Sequence, residues 1–428
     1  MISIINSSSN KNFLDKILKR DQLVSGDIEE AVKRILSDVR VRKDRALRKY
    51  TQKFDGVDIK DFLVSQSEIQ GAYENTSYDL LKDFALAKKN IENYHKKQLP
   101  SSYSISEKKD IILGQLVRPI EKVGIYIPGG SAAYPSTVLM NVIPAKLAGV
   151  GEIIMITPPN DDGSIKDSIL SAAAISGVDK IYKVGGAQGI AALAFGTESI
   201  PKVDKITGPG NAYVTMAKKQ VIGHVGIDMI AGPSEVLIIA DEEANPRYIA
   251  ADLIAQAEHD EMASSILLTH WEPLVDKVLS ELRLQVKNLK RKKIIEKSLK
   301  NYGAIIITQS LRESIDLSNR IAPEHLEILT KNPFGIYRSI KNAGAIFLGE
   351  YSPEPLGDYF AGPNHTLPTN STARFSSPLS VNDFIKKTSL IYYSKNALFK
   401  AKDSIARIAE EEGLSAHAAS VKIRFEGM

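Results

Sequence analysis

The chain has 428 residues, 43% of them apolar and 25% charged, and its 55 basic and 51 acidic side chains leave a formal net charge of +4. That length exceeds one small core, so two or three domains are expected, and so balanced a charge argues against nucleic acid or a membrane surface as a partner. There is no cysteine, which excludes disulfides, thiolate ligands and thiol nucleophiles; no run reaches the roughly 18 apolar residues of a membrane span and no signal peptide is evident, so a cytoplasmic protein is expected.

The first 20 residues read as an arm ending in a short helix at 13–20. A long amphipathic helix follows at 28–54, with Asp27 or Ser25 as its cap, then a second at 78–97. Residues 105–118 read as a strand or hairpin. From 123 the pattern changes. Short β-rich runs at 123–127, 152–157, 180–184 and 203–207 each end in a Pro- or Gly-containing turn. Helical stretches at 138–148, 166–176, 190–195 and 213–221 separate them. A second series of strands is expected at 234–240, 265–269, 302–308, 326–330 and 343–348. The basic run at 289–300 has helical spacing and reads as a solvated helix face. Residues 348–369 form a long Gly/Pro-rich loop, ordered by Tyr351, Tyr359, Phe360 and Leu367. From 380 the chain reads as a helical tail.

Strand, Gly-rich turn and helix in repetition predict an α/β protein with parallel sheets. We expect two incomplete Rossmann-like units, one at 124–234 and a discontinuous one at 21–123 plus 235–379. The short terminal segments, 1–20 and 380–428, should pack on a partner.

Imidazole, carboxylate and carboxamide groups recur close together. Asn245 and Pro246 open a helix on which Asp252, Gln256 and His259 share a face. Gln256 and His259, one turn apart, can point at one ion; the same spacing suits a solvated polar stripe. The pattern is not H-E-x-x-H. Pro323 places Glu324 and His325 at a helix-to-strand junction. They offer two bases of different basicity for successive proton transfers, or a surface pair that caps the next element. Asp358 and His365 lie in the long loop, where a carboxylate and an imidazole suit a borderline metal ion. Glu412 and His417 flank a helix end at Gly413. His95, His224 and His270 read as structural. The turns at 185–196 and 208–211 each follow a strand and open a helix, so their free N–H groups can receive a phosphate, although no G-x-G-x-x-G is present.

Taken in order, these strings resemble the histidinol dehydrogenase family: YIPGG at 126–130, GGAQGIAALAFGT at 185–197, DKITGPGNAYV at 204–214, DMIAGPSEVLIIAD at 228–241, AQAEHD at 255–260, APEHLE at 322–327, LGDYFAGPNHTLPT at 356–369 and EGLSAH at 412–417. The resemblance covers nearly the whole chain. It implies oxidation of L-histidinol to L-histidine with two NAD, through a bound aldehyde, as the last step of histidine biosynthesis. It implies one zinc per subunit on Gln256, His259, Asp358 and His417, positioning the substrate through its imidazole and amine. Glu324 and His325 would be the acid–base pair. Ser234, His365 and Glu412 would also touch substrate, and Tyr126, Gln188 and Asn211 would touch NAD. It further implies a homodimer in which His417 crosses to the other subunit's site. Without a thiol, direct hydration of the aldehyde is expected, with His325 as the candidate base for the alcohol and Glu324 for the water. The competing readings are a zinc hydrolase on an α/β fold, with the metal activating water, and a non-catalytic nucleotide-binding regulator.

Overall fold

The β-branched runs of the sequence form the strands of two parallel sheets in the computed structural model, which describes residues 2–7, 26–108, 110–129 and 133–426. The expected helix at 13–20 and the cap at Ser25 lie outside the described residues. Strand β1 (Ser3–Asn6) comes first, followed by helices α1 (Gly26–Asp55), α2 (Gln66–Asn75) and α3 (Tyr78–His95) and by the strands β2 (Tyr103–Lys108) and β3 (Ile111–Pro119). Strands β4 (Lys122–Tyr126), β5 (Glu152–Thr157), β6 (Lys180–Lys183), β7 (Lys205–Thr207) and β8 (Gly226–Ile227) alternate with α4 (Pro135–Ala148), α5 (Asp167–Ser176), α6 (Gly186–Phe195) and α7 (Ala212–Gln220). The next series runs β9 (Glu235–Ala240), α8 (Pro246–Ala257), β10 (Ser264–Thr269), α9 (Pro273–Gln285), α10 (Lys292–Tyr302), β11 (Ala304–Ile307), α11 (Leu311–Ile321), β12 (His325–Leu329), α12 (Pro333–Ile336), β13 (Ala345–Leu348) and α13 (Glu354–Tyr359). Last come β14 (Ile385–Tyr393), α14 (Lys395–Glu411) and α15 (Ser415–Lys422).

The chain divides into two compact units, Met1–Gln98 with Ile120–Phe384 and Leu99–Pro119 with Ile385–Met428. The first holds both parallel sheets, a five-stranded one in the order β6-β5-β4-β7-β8 and a six-stranded one in the order β1-β11-β10-β9-β12-β13. Every residue of β9 and β10 is buried, as helices on both faces of a parallel sheet require. Successive side chains point to opposite faces, so Val236 and Ile238 join one core with Ile249 and Leu253 of α8. Leu237 and Ile239 join the other, with Ile315 and Ile321 of α11. The five-stranded sheet splits in the same way, Ile154 and Ile156 to one side and Ile153 and Met155 to the other. Residues 26–98, grouped from sequence with 235–379, bury Val32, Leu36 and Leu47 in one of these cores and Phe84 and Ile91 in the other. No described helix is long and apolar enough to cross a membrane.

Three local expectations are corrected. The long first helix is kinked at Lys43, whose φ of 48° leaves the helical region; its Nζ donates to the Gly196 carbonyl at 2.8 Å. The loop after 348 contains α13, started by Pro353 and Pro355. The tail is not helical throughout, because β14 opens it. IKKTSLIYY is rich in β-branched and aromatic residues, and it pairs antiparallel with β3 along its whole length. With β2 it makes the three-stranded sheet of the second unit.

Candidate active site

Both parallel sheets have a point where the strand order reverses, between β4 and β7 in one and between β9 and β12 in the other. Ligands in open α/β sheets sit at such points, outside the carboxyl ends of the strands. In the five-stranded sheet the residues that the resemblance assigns to NAD, Tyr126, Gln188 and Asn211, lie at that edge. The six-stranded sheet presents its functional groups at the opposite edge, where β9 and β12 begin.

At that edge α11 stops at Ala322, which takes the left-handed conformation with φ 52°. Backbone bonds from Gly344 N to Pro323 O (2.9 Å) and from Ala345 N to Glu324 O (2.8 Å) fix the junction. A Cβ on Gly344 would stand 2.5 Å from the Glu324 carbonyl, so only glycine allows this approach. Glu324 and His325 are both buried. Glu324 Oε2 accepts the Glu235 N–H at 2.8 Å. His325 Nδ1 lies 3.0 Å from the Glu235 carbonyl, which only accepts, so Nδ1 carries the proton. Nε2 then bears a bare lone pair. It has no hydrogen-bond partner among the described residues and stands 3.8 Å from Asp358 Oδ1. Burial holds the His325 pKa below its usual value, against the opposing pull of Asp358. The result is a neutral, oriented base.

Three of the groups that the resemblance makes metal ligands, Gln256, His259 and Asp358, lie near that base. Gln256 is fully buried in the last turn of α8. The helix ends at Ala257, so His259 lies just past it rather than on it, with its N–H donating to the Gln256 carbonyl at 3.2 Å. The ligand atoms of His259, Glu354 and Asp358 all fall within 4.8 Å of one another. Burial pushes the Glu354 carboxyl well above the usual range, and the charges of Asp358, Glu327 and Glu324 push the same way. A cation placed among these groups would offset that repulsion. The nitrogen and oxygen donors of His259, Asp358 and Gln256 fit zinc. His365 Nδ1 sits 3.0 Å from the Asp358 carbonyl and its Nε2 sits 3.3 Å from Thr137 Oγ1 on α4; burial lowers its pKa too. Ser234 is half-buried directly before β9. Beside His259 opens a cavity of about 530 Å³, lined also by Phe84, Tyr134, Leu139, Tyr359 and Phe360.

At the exit edge of the five-stranded sheet, Tyr126 ends β4 and its hydroxyl accepts the Gly186 N–H at 3.3 Å. Burial raises the Tyr126 pKa to about 12, so the phenol stays neutral. Gln188 is buried in the first turn of α6, with no partner for Oε1 among the described residues. Asn211 caps α7, its Oδ1 accepting from Tyr213 N (3.0 Å) and Val214 N (3.1 Å). A Cβ on Gly208, whose φ is 110°, would stand 2.1 Å from the Tyr126 carbonyl. An ion pair between Lys218 and Asp228, side chains 3% and 1% exposed, clamps this turn. Lys218 Nζ donates to Gly208 O and Gly208 N donates to Asp228 Oδ2, both at 2.8 Å.

The structure thus links Gln256, His259, Glu324, His325, Asp358 and His365 in one set of contacts, and sets Tyr126, Gln188 and Asn211 around the turns of the other sheet. Glu412 and His417 lie in the second unit, at the end of α14 and on α15, both exposed. Sequence reasoning missed Glu354, although its four-residue spacing from Asp358 puts both on one helical face. It also missed Glu327, a carboxylate inside the apolar strand β12 that hydrogen-bonds Asp252. Asp252 therefore faces Glu327 rather than an ion, and burial raises its pKa to about 6.

Comparison with known proteins agrees with this geometry. The sequence model described as histidinol dehydrogenase matches residues 18–425. A histidinol dehydrogenase of Clostridium acetobutylicum is 56% identical over 100% of this chain and 99% of its own length. One of Bacillus cereus is 54% identical over 96% of each. The crystal structure of histidinol dehydrogenase from Elizabethkingia anophelis superposes with a TM-score of 0.93 at 41% identity, covering 99% of this chain and 98% of that one.

Proposed function

The chain is an enzyme that belongs to the histidinol dehydrogenase family, and from that premise we propose that it oxidises L-histidinol to L-histidine with two NAD, the last step of histidine biosynthesis. The observation that carries this reading is a neutral His325, with its Nε2 lone pair unpartnered among the described residues, buried beside the His259–Glu354–Asp358 cluster. In the first oxidation His325 Nε2 takes the alcohol proton while the C–H bond delivers hydride to NAD, leaving the aldehyde. Glu324 then takes a proton from water as the water oxygen bonds the aldehyde carbon, while the protonated His325 returns its proton to the carbonyl oxygen. The resulting gem-diol gives up the second hydride to a second NAD and its two hydroxyl protons to the bases, and the carboxylate forms. One histidinol and one water yield one histidine, two NADH and three protons. Zinc, when bound by Gln256, His259, Asp358 and a second copy's His417, supplies a Lewis acid that anchors the substrate's imidazole and amine. Ser234, His365 and Glu412 complete the substrate contacts. Tyr126, Gln188 and Asn211 hold NAD at the strand exits, where glycine turns let the cofactor approach the backbone.

The reading includes a cytoplasmic homodimer with shared sites. Its support is the second unit, where buried Ala406, Ala409 and Ala418 form a small core while Ile391, Ile408 and Ile423 stay exposed. The test is incubation of the zinc-loaded protein with L-histidinol and NAD. Two NADH and one histidine per histidinol support the proposal; absence of NADH overturns it.

A further inference from the structure

Glu354 is 2% exposed and sits in the first turn of α13, one turn before Asp358. Its N–H donates to Glu327 Oε1 at 2.9 Å, which anchors the backbone at this point. Its side chain faces the amide of Gln256. Against a carboxylate, which only accepts, one orientation of that amide makes hydrogen bonds. With nitrogen toward Glu354, it donates to both carboxylate oxygens at 2.9 Å; reversed, oxygen faces oxygen. An ionised carboxylate only accepts, so it takes the amide nitrogen, and a cation held beside it favours that ionised form.

A carboxamide is a weak and two-faced ligand. Its oxygen binds a cation and its nitrogen repels one, and the two ends are nearly alike in shape. We propose that Glu354 is a positioning residue that takes the Gln256 nitrogen and thereby commits the Gln256 oxygen to the metal. This rests on the reading of Gln256 as a zinc ligand. It also explains why one short helix carries both Glu354 and Asp358: the carboxylate that binds the ion and the one that aims its amide ligand move together. The rival role is direct ligation by Glu354, whose oxygen is within reach of the same point.

Zinc affinity, measured by chelator competition on the full-length protein, separates the roles. Loss of a residue that orients a ligand costs about 10–100-fold in metal affinity. We expect Glu354→Leu to lose affinity in that range and Glu354→Gln, which keeps one accepting oxygen, to lose less. In a Gln256→Ala background, Glu354→Leu should cause no further loss, because the amide it acts through is gone. Equal loss in both backgrounds makes Glu354 a ligand in its own right and overturns the proposal, as does unchanged affinity in Glu354→Leu. If Glu354→Leu does not fold, the same cycle is run with Glu354→Gln, and a loss that persists without Gln256 is again fatal. Failure of the underlying reading looks different: a wild-type protein that takes up no zinc, or a Gln256→Ala variant with wild-type affinity, refutes the metal assignment itself and this inference with it.

Discussion

The Lys218–Asp228 pair permits a prediction whose order of effects follows from the hydrogen bonds. Both side chains are almost fully buried. Asp228 accepts from Lys218, from Gly208 N at 2.8 Å and from Met229 N at 2.7 Å. Asp228→Ala strands an ammonium group in the interior and leaves two N–H groups without their acceptor. Removing one member of a buried pair costs about 3–5 kcal/mol, and an orphaned buried donor costs about 1–3 kcal/mol; these overlap, because all three contacts end on one carboxylate. We expect about 5 kcal/mol. Lys218→Met should cost nearer 3 kcal/mol, since Asp228 keeps both N–H donors. The double variant Lys218→Met/Asp228→Leu should cost less than Asp228→Ala alone, because no unpaired charge remains. Urea midpoints at unchanged slope measure these differences. The turn at Gly208 also loosens, so the KM for NAD should rise in Asp228→Ala. A double variant less stable than Asp228→Ala, or a Lys218→Met as damaging as Asp228→Ala, would refute the reasoning.

Three further outcomes are expected. Glu324→Gln should slow oxidation of histidinaldehyde by about 10²–10⁴-fold, the worth of a general base, and slow oxidation of histidinol far less; equal loss in the two half-reactions removes the division of labour between Glu324 and His325. Subunits of His417→Ala and His259→Ala, inactive alone, should recover about a quarter of wild-type activity after random mixing, since half the dimers then hold one intact site. No recovery after verified exchange places the site within one chain. Finally, burial lifts the Asp55 pKa from 3.8 to about 6, so the folded chain binds that proton more tightly than the unfolded chain. Its contribution to stability is present below pH ~3.8 and lost as pH rises through about 6. Asp55→Asn should flatten that slope and raise stability at neutral pH, and a denaturation series across this range that matches wild type contradicts it.

Much of this was legible in the sequence because two periodicities carry it. The buried strands β9 and β10 sit between turn signals, and the helices between them keep an apolar face. The Glu324–His325 junction was legible through Pro323, which, after an apolar-periodic helix, marks its end. The short helix α13 was not, because two prolines and a glycine within PEPLGD give no helical propensity; packing of Glu354 against Gln256 and Glu327 favours it instead. Strand β14 was hidden for a different reason. Its Lys386, Lys387 and Ser389 break the apolar alternation, and what selects the strand is β3, more than 260 residues earlier in the chain. Long-range pairing of that kind outweighs the weak local signal of the strand's β-branched and aromatic residues. The kink at Lys43 depends likewise on a distant partner, the carbonyl of Gly196.

The candidate groups lie at opposite edges of the two sheets, and this has a mechanical consequence. Loops at strand exits adapt to a ligand, and the glycine turns after Tyr126, at Gly185 and at Gly208 are placed to receive one. A strand entry is stiffer. His325 is the first residue of β12, paired in register with Val236 on one side and Ala345 on the other, so its backbone is held from both flanks before the side chain begins. The base is therefore fixed by the sheet, whereas His259 and Asp358 sit on a turn and a short helix. What joins the two edges is α4, which follows β4: it meets the loop after α13 through Thr137 and His365 at 3.3 Å and through Asn364 and the Met140 carbonyl at 2.6 Å. In the proposed reaction a hydride donor near His325 and an acceptor near Tyr126 would share that helix as a common reference. The proposed pair of hydride transfers from one bound substrate would need the base to stay still while the cofactor is exchanged, and a histidine anchored in a strand beside glycine turns would meet that need.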